Sequence, residues 1–289
     1  RPPRSTLFPY TTLFRSGDNC QIPAECVTAL VPMEEDLPEM VMAPPSDAQR
    51  RIASHIVERV PDGACVQFGI GGVSAAMGEA LMTKRDLGCH SEMLTEPIMT
   101  LMQAGVINNS RKRFCPGKTV FTNALGTAEL YRFMDRNPAL EAHPTAWLND
   151  PRNIAKNDNM ISVNGALCVD LAGQVCAESI GFRQFSGTGG QLDYVRGARW
   201  SRGGKSFLTL PSVHVDKAGN RHSNISLTLP PGSIVTTPRA DVHFIVTEYG
   251  AADLLDEPVD VRAKRLISIA HPDYRDQLLF EARKAGYIV

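Results

Sequence analysis

Ala64-Cys65-Val66-Gln67-Phe68-Gly69-Ile70-Gly71-Gly72-Val73-Ser74-Ala75-Ala76-Met77 decides the fold. A short apolar run reaches a Gly-x-Gly-Gly turn and passes into Ala75, Ala76, Met77, Ala80 and Leu81 at helical spacing, so strand, glycine turn and helix form one α/β unit. Upstream, Ser46-Asp47 has the chemistry of a helix start; Ile52, Ile56 and Val60 follow at spacing four, Ala53 and Val57 widen the stripe, and Pro61-Asp62-Gly63 ends it. Downstream the alternation returns, with strands expected over 87–90 and 119–124 and helices over 94–104 and 127–134. The expected fold is α/β, a helix-covered and mostly parallel sheet. The later part is richer in strands. Residues 160–170 and 174–178 flank Leu171-Ala172-Gly173 as a hairpin, strands follow over 206–210, 225–229 and 242–247, and helices over 261–269 and 274–284 close the chain.

The 289 residues, 43% hydrophobic, are enough for a substantial core, and a net charge of −1 gives no basic field for nucleic acid or an anionic membrane. Seven cysteines, an odd number without a C-x-x-C pair or zinc spacing, point to no metal and to a reducing, cytoplasmic setting. No apolar run approaches the ~18 residues of a membrane span. Thr6-Leu7-Phe8-Pro9-Tyr10-Thr11-Thr12-Leu13-Phe14-Arg15-Ser16 spells the translation of a common short-read sequencing adapter, so residues 1–16 are expected to be an adapter-derived tail, with the true start missing upstream. Residues 17–45, with Pro23, Pro32, Pro38, Pro44, Pro45 and the cluster Glu34-Glu35-Asp36, read as the remnant of an N-terminal domain and its linker; 46–289 read as a C-terminal domain.

The residue with the most chemical content is Glu92, in Gly88-Cys89-His90-Ser91-Glu92-Met93, between the first glycine turn and a second at Gly187-Thr188-Gly189-Gly190. A carboxylate is a competent covalent nucleophile toward an acyl group, and glycine turns let backbone N–H groups approach the oxyanion that forms. Each turn alone reads first as a purely structural tight turn, and Glu92 alone reads equally as a surface or helix-capping carboxylate. A dinucleotide site is a competing reading, with Asp86 and Glu92 at roughly the distance of a ribose-binding acid, but Gly69-Ile70-Gly71-Gly72 is not the full G-x-G-x-x-G fingerprint, and His90-Ser91-Glu92 reads more like a loop leaving a strand end. His271-Pro272-Asp273 lacks a G-x-S-x-G elbow and reads as a turn, His55 reads as a packed or exposed helix residue, and Arg111-Lys112-Arg113 as a solvated basic face able to meet a phosphate.

From about Asp47 to the C-terminus the chain resembles the acetyl-CoA hydrolase/transferase family of CoA-transferases, which includes 4-hydroxybutyrate CoA-transferase. The resemblance is carried by Gln67-Phe68-Gly69-Ile70-Gly71-Gly72, Asp86-Leu87-Gly88-Cys89-His90-Ser91-Glu92-Met93, Val169-Asp170-Leu171-Ala172-Gly173-Gln174-Val175, the stretch 186–193, Val246-Thr247-Glu248-Tyr249-Gly250 and Ile269-Ala270-His271-Pro272-Asp273. It implies a CoA-transferase-like fold, paired with a similar upstream domain across the active-site cleft. It also implies that Glu92 attacks an acyl-CoA, acetyl-CoA by preference, to give an anhydride and then a glutamyl-CoA thioester. By the same resemblance Ile70 and Gly190 supply oxyanion N–H groups, while Gly69, Gly71, Gly72, Asn149, Asn164, Gly187 and Gly189 line the CoA and acyl site. Asn149 and Asn164 read equally well as turn residues. The implied partners are an acyl-CoA and a short-chain carboxylate, with coenzyme A as substrate, no permanently bound cofactor, and a homo-oligomeric assembly.

Three departures from the family pattern stand out: Ser74 after the first glycine turn, Glu96-Pro97 after the nucleophile motif, and Pro211-Ser212-Val213-His214-Val215 where a CoA-contacting lysine is usual, leaving Lys217 or Lys205 as substitutes. Two other outcomes share the same residues. Water reaching the acyl intermediate gives acetyl-CoA hydrolysis, and glycine loops without a nucleophile give a non-catalytic phosphate- or effector-binding domain.

Overall fold

The computed structural model describes residues 23–32 and 34–289; the expected tail at 1–16 lies outside them. Helix α1 (Asp47–Val57) starts where the sequence places it, because Ser46 Oγ accepts from the Gln49 N–H and Gln49 Oε1 accepts from the Ser46 N–H, a reciprocal capping box. Its buried stripe is Ile52, Ala53, Ile56 and Val57.

The main sheet has six strands, β1 (Cys65–Phe68), β2 (Gly88–Cys89), β3 (Met160–Gly165), β4 (Lys205–Thr209), β5 (Phe244–Thr247) and β6 (Gly250–Asp253), in the order β6-β5-β4-β3-β1-β2. All neighbours are parallel except β5 and β6. All four β1 residues are buried, as a central strand covered on both faces requires. From β1 the chain runs to β2 on one side and then to β3, β4 and β5 on the other, so the strand order reverses between β1 and β3. Such a reversal opens a crevice at the carboxyl ends of the strands.

Alternate residues feed two cores. Phe207, Phe244 and Val246 join Ile52, Ile56, Met77 and Leu81 of α1 and α2 (Gly72–Leu81), whereas Leu208 and Ile245 join Leu266 and Ile267 of α8 (Val259–Ile269) and Leu278 of α9 (Pro272–Lys284). The remaining helices are α3 (Glu96–Gln103), α4 (Ala128–Met134), α5 (Thr145–Leu148), α6 (Pro151–Ile154) and α7 (Gln191–Trp200).

The expected strand over 160–170 is two strands. Ala166 N–H still bonds Thr209 O in the main sheet, but Leu167 N–H bonds Cys176 O, and Cys168–Asp170 belongs to a separate three-stranded sheet with Val175–Cys176 and Ile225–Ser226. An unbroken apolar run conceals that change of partner. Its turn is closed by Asp170, whose carboxylate accepts from the N–H groups of Ala172 and Gln174. The 119–124 strand is likewise divided, into Thr119–Phe121 and Asn123–Ala124. Residues 38–40 of the expected linker lie against α4, with Glu39 accepting from the Ala128 N–H and Pro38 O from the Tyr131 hydroxyl. No helix of the described residues is long and apolar enough to cross a membrane.

Helix α7 packs on α6 through Gly197, where an added Cβ would stand 2.5 Å from both Cβ and Cγ2 of buried Ile154. Ile154 is branched and enclosed, so the clash has no cheap exit. Gly197→Ala is expected to lower stability by ~1–3 kcal/mol, read as a lower urea midpoint at unchanged slope.

Candidate active site

Strand β2 is two residues long, and its outer edge is completed by a segment that is mostly not a strand. Leu87 N–H bonds Val106 O, and Ser91 N–H bonds Val120 O. Between them Asn109 Oδ1 accepts from the Cys89 N–H at 2.9 Å, and Lys112 Nζ donates to Cys89 O at 2.8 Å. The missing side chain at Gly88 makes room for Lys112, since a Cβ there would lie 2.3 Å from Lys112 Cγ. Glu92 follows at the carboxyl edge of the sheet, its carbonyl accepting from the N–H groups of Thr122 and Asn123.

The Glu92 carboxylate is half-buried and meets the second glycine turn directly: the Gly190 N–H donates to Glu92 Oε2 at 3.1 Å. A Cβ on Gly190 would stand 2.3 Å from that oxygen and 2.5 Å from Asn149 Nδ2, so glycine is what allows the approach. Asn149, at the end of α5, is 7% exposed, and its Oδ1 has no partner among the described residues. Glu92, Gly190 and Asn149 therefore form one cluster.

The other expected residues divide. Gly69, Gly71, Gly187 and Gly189 are open, with nothing within 4 Å of an added Cβ, and Gly71 and Gly189 have φ of +102° and +55°. Ile70 is 51% exposed, and its N–H has no partner among the described residues. Gly72 serves packing, since a Cβ there would sit 2.2 Å from Gln49 Oε1 of the α1 capping box. Asn164 lies at the β1/β3 crevice with its amide paired to Gln67 on both sides, at 3.1 and 3.2 Å.

Burial raises the Asp193 carboxyl above its ordinary pKa, and the Glu92 charge adds to the shift. Tyr194 is raised well above the usual phenol value for the same two reasons, burial first. Burial holds His90 neutral, its pKa lowered to about 3, with the Lys112 charge contributing. Because this folded value lies below the ordinary 6.5, the unfolded chain takes up the proton first. The stability contribution of His90 is thus present above pH 6.5 and lost as pH falls towards 3. Between pH 7 and 4.5 the loss of unfolding free energy is expected to be roughly 2–3 kcal/mol smaller in His90→Gln than in the parent, by urea titration at each pH.

Several expectations are corrected by position. Lys205 lies at the amino end of β4, its Nζ near Arg59 O, on the edge of the sheet opposite Glu92, so it is no substitute for a CoA-contacting lysine; Lys217 is exposed in the hairpin turn that follows Val213–Val215. Asp86 precedes β2 on that same far edge, paired with Arg111 at 3.2 Å, out of reach of a ligand at the glycine turn. In the basic cluster Arg111 and Arg113 are exposed as expected, ion-paired with Asp86 and Asp158, whereas Lys112 is not part of that face, being 6% exposed on backbone carbonyls. His271 caps α9 by accepting from the Asp273 N–H, as a turn reading requires. Glu96 accepts from the Thr127 N–H, and Pro97 packs on Gly78, so this departure shapes the α3–α4 junction. Glu248 is likewise structural in its contacts, accepting from both the N–H and the hydroxyl of Ser212.

Sequence reasoning missed His90, Asn109 and Lys112 as supports of the Glu92 strand, and missed α7 altogether. The available signal was the positive-φ Asn109 and the single glycine at 88, both of which need the backbone to be known.

Residues 126–282, more than half of the chain, match the family model described as the acetyl-CoA hydrolase/transferase C-terminal domain. The chain is 45% identical over 274 residues to a succinyl-CoA:cyclohexane-1-carboxylate CoA transferase of Geobacter metallireducens, covering 95% of this chain and 62% of that protein. It is 44% identical to a 4-hydroxybutyrate coenzyme A transferase of Clostridium kluyveri, covering 87% of this chain and 58% of the relative. The crystal structure of RipA from Yersinia pestis superposes with a TM-score of 0.87 at 39% identity, over 94% of this chain and 61% of that one. The chain thus spans about three fifths of the length of these relatives.

Proposed function

The chain belongs to the acetyl-CoA hydrolase/transferase family, and on that premise we propose that it carries the nucleophile of a CoA-transferase, with Glu92 as that nucleophile. The carrying observation is the Glu92 carboxylate held by the Gly190 N–H beside the unpartnered Asn149 Oδ1. A carboxylate oxygen of Glu92 attacks the thioester carbonyl carbon of an acyl-CoA, acetyl-CoA by preference. The tetrahedral oxyanion takes the free Ile70 N–H, the C–S bond breaks, and an acyl-glutamyl anhydride remains with CoA thiolate. The thiolate then attacks the Glu92 carbonyl, whose oxygen keeps the Gly190 N–H, and the acyl carboxylate leaves. A second short-chain carboxylate runs the two steps in reverse. No proton is gained or lost, and the thioester energy is retained at each stage.

Open backbone at Gly69, Gly71, Gly187 and Gly189 gives coenzyme A a surface free of side chains, with Asn149 offering an acceptor and Asn164 at the crevice floor. Coenzyme A is a substrate in this scheme. The test is intact-mass measurement of the native-length protein after acetyl-CoA and borohydride. Reduction of a glutamyl thioester to the alcohol removes about 14 Da, and this loss is expected in the parent and absent in Glu92→Gln. An unmodified parent that still binds CoA would reject the covalent scheme.

A further inference from the structure

His90 is completely buried, two residues before Glu92, and both its ring nitrogens are committed. Asn157 Nδ2 donates to Nδ1 at 3.2 Å, which leaves the proton on Nε2, and Nε2 donates to Leu148 O at 2.8 Å. Each bond leads to another part of the site. Leu148 immediately precedes Asn149. Asn157 O accepts from Ser201 Oγ at 2.6 Å, Ser201 ends α7, and α7 begins just after Gly190, whose N–H returns to Glu92. Tyr194 in the middle of α7 meets the imidazole edge-on, with centroids 6.2 Å apart. The path from Glu92 through His90, Asn157, Ser201 and α7 to Gly190 is therefore closed.

The aromatic neighbours Trp147, Phe114 and Tyr194 are contacts that a phenyl ring also makes, at the cost of a larger ring in a closed site. What the imidazole adds is two directional bonds, to the two segments that bring Asn149 and Gly190 to Glu92. We infer that His90 is a positioning residue that sets the spacing among the Glu92 carboxylate, the Gly190 N–H and Asn149, and through it the rate of acyl transfer. The inference rests on the reading of Glu92 as nucleophile.

The test compares His90→Phe, which keeps the stacking, with His90→Gln, which keeps an N–H for Leu148 O, in the native-length protein. Exchange kinetics and the rate of adduct formation at Glu92 are measured together. His90→Phe is expected to lower kcat by ~100-fold with KM for acyl-CoA within ~3-fold, and His90→Gln to recover to within ~10-fold of the parent. If His90→Phe does not fold, Asn157→Ala breaks the other arm and is expected to lower kcat in the same direction at unchanged KM. A folded His90→Phe or Asn157→Ala with the parent's kcat overturns the inference, as does an equal loss in Phe and Gln with KM rising in step. No adduct in the parent removes the Glu92 reading and this inference with it; an adduct formed equally fast in parent and His90→Phe removes the inference alone.

Discussion

Glu92→Gln is expected to lower CoA exchange between acetyl-CoA and a short-chain carboxylate by about 10⁴-fold or more, the scale seen when a covalent nucleophile is removed. The amide has nearly the same shape and still offers an oxygen to the Gly190 N–H, so the 3.1 Å contact has a counterpart in the variant. What disappears is the negative oxygen that forms the anhydride. The fold should therefore be unaffected, with thermal unfolding close to that of the parent and CoA binding retained, while kcat collapses. Exchange in Glu92→Gln within about tenfold of the parent would mean that acyl transfer proceeds without this carboxylate.

The second large effect is expected at Gly190. Gly190→Ala places a methyl 2.3 Å from Glu92 Oε2 and 2.5 Å from Asn149 Nδ2. Both atoms are the ends of flexible side chains, so they swing aside at little expense in stability. The same movement withdraws the carboxylate from its N–H donor, and losing one oxyanion donor costs about 10²–10³ in kcat. Gly190→Ala should thus be folded and slow, with the loss in kcat instead of in KM. Gly189→Ala serves as a loop comparison read in kcat, since a Cβ there meets nothing within 4 Å, its φ of +55° is strained, and its place on the CoA surface would show in KM. If both variants lose kcat equally, loop distortion explains the effect and the Glu92 contact does not.

Much of this architecture was readable because it rests on local rules. The capping box at Ser46 and Gln49, the buried run of β1 and the glycine turn into α2 each declare themselves within a few residues. Glu92 was legible as a carboxylate leaving a strand end. Its partnership with Gly190 spans 98 positions and rested on family resemblance. Helix α7 escaped notice because its buried face includes Gln191 and Gly197, while Arg196 and Arg199 blur the apolar stripe. Lys112 read as surface charge because the carbonyls of Cys89 and Lys118, which anchor its ammonium, become neighbours only after folding. Lys205 and Asp86 misled for a topological reason: spacing along the chain says how far apart two residues are, but not which edge of a parallel sheet each one occupies.

The way β2 is closed has a consequence for self-association. A sheet edge with unpaired N–H and C=O groups is a template for another chain, and strand-by-strand aggregation starts there. Along β2 that template is already used, by the backbone of Val106 and Val120 and by the side chains of Asn109 and Lys112. An incoming strand would have to displace Lys112 and leave a buried ammonium without its acceptors, an outcome far more costly than the hydrogen bonds gained. The same side chains that hold the Glu92 segment in place thus guard this edge of the sheet against fibre-like growth.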